Sequence, residues 1–146
     1  LPDWKLVIAG DGPEYQNLKF KIENLKLTDR VALVGLVPRE KLQEYLQNAG
    51  IFVLNTSFES FSFQVVEAMN AGTPVITTNI GNLPEIIENG KEGILIEPNH
   101  KEQILAAIKK IDTDRQFRDK IVQNAKEKAK QFSISRTVDN LVELIK

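Results

Sequence analysis

Glu59 and Glu67 stand on either side of seven residues in the stretch FESFSFQVVEAMNAGTPVI, 58–76. An ionised carboxylate only accepts hydrogen bonds, so each can take both protons of a vicinal diol. Val65, Val66, Ala68 and Met69 surround Glu67 with little polar surface, which predicts a largely buried helix beginning near Phe61 or Ser62. Glu59 then lies in the loop before that helix. Glu67 lies inside it, roughly 8–9 Å further along the axis at about 1.5 Å per residue. Between them falls the helix N-terminus, with free N–H groups and about half a positive charge. A diphosphate suits that end, and a hydroxyl-rich ring suits a carboxylate on each side. A nucleotide-sugar has that order: ribose diol, diphosphate, sugar hydroxyls. The same spacing also admits a structural role, with Glu59 a dipole partner and Glu67 facing solvent. For Glu67 the apolar surroundings count against it, because a buried carboxylate without partners is costly.

Strand ends must position such a pair. Short runs rich in Val, Ile and Leu recur at KLVIAG (5–10), VALVG (31–35), IFVL (51–54), PVITT (74–78) and GILIE (93–97). Each is nearly continuous, the pattern of strands covered on both faces by helices. Helical spacing fills the gaps, with Tyr15, Leu18, Ile22 and Leu25 on one face and Leu42, Tyr45, Leu46 and Ala49 on another. Asp11 is placed to cap the first helix, Asn82 to cap a helix with Pro84 in its first turn and Glu85 three residues on, and Asn99 to cap a helix with Glu102. His100 reads as a solvated helix-start residue, and KEKAK (126–130) as a wet helix face. Two C-terminal helices are expected over 114–132 and 135–146, with a break at FSIS. The fold class is therefore α/β: an open parallel sheet with helices on both faces, Rossmann-like, with right-handed crossovers. Such sheets bind ligands outside the carboxyl ends of their strands. GDGP (10–13), GLVP (35–38) and NTSFESFS (55–62) lie at such ends.

Composition narrows the classes of partner. The chain has 146 residues, 19 basic and 20 acidic, and a net charge of −1, so no overall field would hold a nucleic acid. It has no cysteine and one histidine, which excludes disulfides, thiolate metal sites and a histidine cluster for zinc. No apolar run approaches a membrane span. The opening LPDWKLVIAG sits one short turn before a strand, as in a domain cut from something longer.

FESFSFQVVEAMNAGTPVI resembles the signature of the retaining glycosyltransferases of family 4, which have two Rossmann-like domains facing a cleft. VIAGDGPE (7–14), DRVALVGLVP (29–38), IGNLPEIIENGKEGILIEP (80–98) and the terminal FS break match in order, over nearly the whole chain. The resemblance implies that residues 1–146 are a single donor-binding domain. It lacks the N-terminal acceptor domain and its own first strand–helix unit, which carries an arginine and a lysine for the diphosphate. Glu59 would contact the donor sugar near the anomeric carbon, and Glu67 the ribose diol. The amides of Ser60, Phe61, Ser62 and Phe63 would face phosphate and sugar, and Leu36 and Val37 would line the base pocket. Gly10 would let the first loop pass close to the ligand. Ser60 and Ser62 replace the family's usual glycines, so their side chains should crowd the approach. No metal or other cofactor is implied. The donor is a nucleotide-sugar, the acceptor a glycan or lipid met through the other domain. The setting is the cytoplasm or the inner face of a membrane.

Two other functions fit the same residues: a nucleotide-sugar-binding module without catalysis, and a sugar-nucleotide epimerase of similar fold. A glycosidase fits less well, since its carboxylates should face each other across a cleft at about 5–9.5 Å. So does a dinucleotide dehydrogenase, since the first strand leads into GDGPEY and not G-x-G-x-x-G.

Overall fold

The computed structural model describes residues 4–132, in two compact units that meet in sequence between Leu42 and Gln43. The first unit holds β1 (Leu6–Ala9), α1 (Tyr15–Asn24), β2 (Val31–Gly35) and the first turn of α2 (Arg39–Asn48). β1 and β2 pair in parallel, Leu6 opposite Val31 and Ile8 opposite Leu33, with a register shift between Ile8 and Ala9. Arg30 fastens the start of the ladder by donating from Nε and Nη2 to the Trp4 carbonyl, at 3.3 and 3.0 Å. α1 packs on β2, yet no residue of α1 is fully buried. Leu6 and Val7 remain 51% and 44% exposed. The apolar run over 5–10 predicts cover on both faces; a two-stranded ladder with one helix on it cannot supply that. Asp11 does not cap α1 either: Glu14 holds the N-cap position, and its carboxylate caps no backbone amide but accepts from Asn17 Nδ2 at 2.7 Å.

The second unit holds the rest of α2, then β3 (Phe52–Leu54), α3 (Phe63–Ala71), β4 (Val75–Thr78), α4 (Leu83–Ile86), β5 (Ile94–Ile96), α5 (Lys101–Thr113) and α6 (Arg115–Ala129). β4 is the middle strand, parallel to β3 on one side and β5 on the other. Every residue of β4 is buried. Ile76 packs with Ile96, Ala107, Ile111 and Ile121, joining the sheet to α5 and α6. α3 packs on β4 and α6. It buries Val65, Val66, Ala68 and Met69, and each large apolar side chain so covered is worth about 1.5–3 kcal/mol. The helix stops at Gly72, in the left-handed conformation at φ 81°, with Gly72 N donating to Met69 O and Thr73 N to Ala68 O. Pro74 then starts the strand. The Thr73 hydroxyl donates to the Leu46 carbonyl and pins this turn to α2. Asp114 caps α6 by accepting from Phe117 N at 2.9 Å. Lys126, Glu127 and Lys130 lie on an exposed face of the last turns, as the KEKAK run predicts.

The molecule is thus an α/β protein with wholly parallel ladders flanked by helices. The helix expected over 135–146 lies outside the described residues. Among the described residues no helix is long and apolar enough to cross a membrane.

Two neighbouring threonines of β4 give a test of the core. Thr77 donates its hydroxyl to the Leu54 carbonyl at 3.1 Å. Thr78 is fully buried, and its hydroxyl has no hydrogen-bond partner among the described residues. Thr77→Val should destabilise by about 1 kcal/mol, and Thr78→Val should be neutral or stabilising by up to about 1 kcal/mol. Urea unfolding of the two variants measures both; a clear loss at Thr78→Val would show that its hydroxyl is satisfied after all.

Candidate functional site

The loop from β3 to α3 holds Glu59 and leads into the helix that holds Glu67. Thr56 closes a small turn at its start: its hydroxyl donates to Phe58 O at 2.8 Å and accepts from Phe58 N at 3.3 Å. Ser62 is the N-cap of α3, with extended backbone, and its Oγ accepts from Val65 N at 3.4 Å. The helix therefore begins at Phe63, just after the expected start. Ser62 is completely buried and also donates to Gln64 Oε1 at 3.3 Å. Its side chain is consumed by the cap, so it does not crowd the approach as expected; a cap must fold over its own first turn. Ser60 is exposed.

Between Phe58 N and Val65 N, the backbone amides of Glu59, Ser60, Phe61, Ser62, Phe63 and Gln64 meet no acceptor among the described residues. This run of donors sits where the helix dipole is most positive. Glu59 is half-buried at one end of the run. Glu67 is half-buried at the fifth position of α3, among fully buried neighbours, and has an interaction partner of its own. A carboxylate offers about four acceptor sites, so it can hold a structural partner and a diol together. Phe61 packs edge-on against Phe63 and Phe132, with ring centroids 5.0 and 5.7 Å away. Phe63 and Phe58 nonetheless stay 72% and 87% exposed. Among the described residues no cluster of three or more His, Asp or Glu side chains is placed to hold a metal ion.

A residue without an expected role fixes Glu59. Gly81, in the loop after β4, adopts φ +52°. A Cβ there would lie 1.8 Å from the Glu59 carbonyl oxygen. Only glycine tolerates both that conformation and that approach. The signal was available in the IGN triplet that follows the buried strand, but nothing in the sequence says which backbone the glycine approaches.

The other expected binding residues lie in the first unit. Gly10 N donates to Gly35 O at 2.8 Å, which brings the GDGP and GLVP turns together at the carboxyl ends of β1 and β2. Leu36 is 80% exposed there, and Val37 is half-buried. Two expected helix caps are different in fact. Asn82 does occupy the N-cap of α4, but makes no side-chain cap bond. Asn99 is not the cap of α5. His100 takes that position, exposed, with Nδ1 3.4 Å from Glu102 Oε2. Asn99 has φ +59°, and its side chain turns to other partners.

Parallel strands whose carboxyl ends present an amide-lined helix N-terminus make a Rossmann-like α/β fold, and comparison of structures matches it to glycosyltransferases of the GT-B fold. The HepE protein of Anabaena, solved with UDP, superposes with a TM-score of 0.90 at 25% identity, covering 99% of this chain and 41% of that one. The model of the family "Glycosyl transferases group 1" matches residues 1–128, and the chain belongs to that family. A glycosyltransferase of Methanocaldococcus jannaschii is 34% identical over 122 residues, 84% of this chain and 31% of that protein. N-acetyl-alpha-D-glucosaminyl L-malate synthase of Bacillus anthracis is 37% identical over 95 residues, 65% of this chain and 24% of the enzyme. The chain thus spans about a quarter to a third of the length of these curated relatives.

Gly81→Ala should cost at least about 2 kcal/mol, because one of two packed loops has to move. Thermal unfolding measures it. A melting temperature equal to that of the parent would mean that the Gly81 and Glu59 backbones do not touch. Ser62→Ala, by contrast, loses only a cap and should cost about 1 kcal/mol.

Proposed function

We propose that this chain is the donor-binding half of a retaining glycosyltransferase of family 4, moving a hexose from a nucleoside diphosphate to a glycan, lipid or polysaccharide precursor. One observation carries the reading: a run of unsatisfied amides, Glu59 to Gln64, at the start of α3 with a half-buried carboxylate on each side. In this reading the amides of Ser60, Phe61, Ser62 and Phe63 face the diphosphate and the sugar. Glu67 accepts from the ribose hydroxyls. Glu59 accepts from hydroxyls of the transferred sugar and faces the positive charge that grows at the anomeric carbon. As the bond from that carbon to the phosphate oxygen breaks, charge moves onto the departing diphosphate. The dipole and amides of α3 are already oriented towards it and need no reorganisation. The acceptor's hydroxyl oxygen forms the new bond to the anomeric carbon on the face the diphosphate leaves, and its proton passes to the departing diphosphate. Diphosphate charge is met here by amides and not by a metal. Leu36 and Val37 line the base pocket through backbone contacts, and Gly10 lets the first loop pass close to the ligand.

The acceptor site and the basic pair for the diphosphate belong to parts of the protein outside these residues, consistent with the share of its relatives that the chain spans. Acceptors at the inner face of a membrane would be met through that other half, with the protein itself in the cytoplasm. The 146 residues alone should bind donor weakly and transfer nothing.

Titration of nucleoside diphosphates and nucleotide-sugars, with transfer assays on the full-length protein, tests the roles. Glu67→Ala should weaken nucleoside diphosphate binding by about tenfold to a hundredfold, the loss of hydrogen bonds to a charged group worth about 1.5–3 kcal/mol. Glu59→Gln should lower transfer by about a hundredfold to a thousandfold, to a residual rate that can still be measured, while nucleoside diphosphate affinity stays. A chelator should leave the titrations unchanged. A Glu59→Gln protein with full transfer would overturn the assignment. An intact protein that binds donor and never transfers would make it a binding module, and an epimerised donor recovered without acceptor would make it an epimerase.

A further inference from the structure

The loop that carries Glu59 is fastened at its other side by a clasp between the ends of two strands. Asn99, after β5, donates its backbone N–H to Asn55 Oδ1 at 3.0 Å. Asn55, directly after β3, donates from Nδ2 to Asn99 Oδ1 at 3.5 Å. The pair is therefore reciprocal. Asn99 Nδ2 also donates to Ser57 Oγ at 3.3 Å. β3 and β5 are the two neighbours of β4, so the clasp spans the carboxyl end of the central strand. It ties the first residues of the Glu59 loop to a residue 44 positions away.

We infer that Asn99 is a positioning residue for the Glu59 carboxylate. The inference rests on the proposed role of Glu59 at the sugar. Two contacts from neighbouring loops locate the segment: the Gly81 backbone presses on Glu59 itself, and Asn99 holds Asn55 and Ser57 upstream of it. The Thr56 turn stiffens the span between. Asn99 does this at the expense of local convention, because it gives up the cap of α5 and takes a left-handed backbone that asparagine tolerates better than most residues. The bonds are exposed, so each contributes modestly to stability. Their effect falls on geometry, and misplacing a group at a reacting centre by about 1 Å can cost up to about a hundredfold in rate.

Asn99→Gly keeps the left-handed backbone without strain and removes only the side-chain bonds. In the full-length protein it should lower kcat about tenfold, leave KM for the donor and nucleoside diphosphate affinity within about twofold, and hardly change the melting temperature. Asn99→Asp can still accept from Asn55 and from the Ser57 hydroxyl, and should recover most of the rate. In a Glu59→Gln background the Asn99→Gly loss should vanish, since the residue acts through Glu59. If Asn99→Gly transfers at the parent rate while Glu59→Gln is impaired, the positioning role fails and the role of Glu59 stands. If the loss persists undiminished in the Glu59→Gln background, Asn99 acts elsewhere and the inference is overturned. Full transfer by Glu59→Gln alone would instead remove the proposed function. Ser57→Ala, which deletes one hydroxyl from the clasp, gives the same kind of kcat loss on a smaller scale and serves if Asn99→Gly does not fold.

Discussion

Six consecutive backbone amides without an acceptor among the described residues, at the positive end of a buried helix, are the constraint around which the second unit is arranged. Backbone donors are rarely left unpaired away from water. Ser62 satisfies only Val65 N, and Ser60, Phe63 and Gln64 in this stretch are exposed, within reach of solvent or an anion. The helix can bring these donors to a strand end because one side of it is apolar and buried. Val65, Val66, Ala68 and Met69 anchor it on β4 and α6, and the Gly72 turn sends the chain straight back into the central strand.

A rigid seat of this kind needs its flanking groups held in place, and the three loops after β3, β4 and β5 do so by touching one another. Gly81 approaches Glu59 too closely for any side chain. Asn99 reaches back to Asn55 and Ser57. Glu59 thus sits on a loop while the parallel strands beneath fix where the loops begin, the usual division of labour in open α/β sheets.

Much of this was legible in the residues. The five apolar runs and the spacing of Val65, Val66, Ala68 and Met69 located every described strand and the buried helix, since continuous Val, Ile and Leu has few other uses in a soluble chain. The placement of Glu59 before the helix and of Glu67 inside it was legible as well, because the apolar spacing of Val65, Val66, Ala68 and Met69 locates the helix start to within two residues. Cover on β1 was not: exposure of Leu6 and Val7 depends on which elements lie over the strand, and periodicity carries no such information. Nor was Asn99. Asparagine before a helix reads as a cap by local rules, and only the pairing order of β3, β4 and β5 brings Asn55 within its reach. Ser62 shows the converse, where family likeness suggested crowding and local capping chemistry decided otherwise.

Backbone amide NMR of the chain during titration with a nucleoside diphosphate tests the anion seat most directly. The N–H signals of Ser60 through Gln64 should move together and saturate on one binding curve, with Val65 N, already committed to Ser62, moving less. Saturable shifts confined to other parts of the molecule, with those five signals still, would contradict the seat and the function built on it.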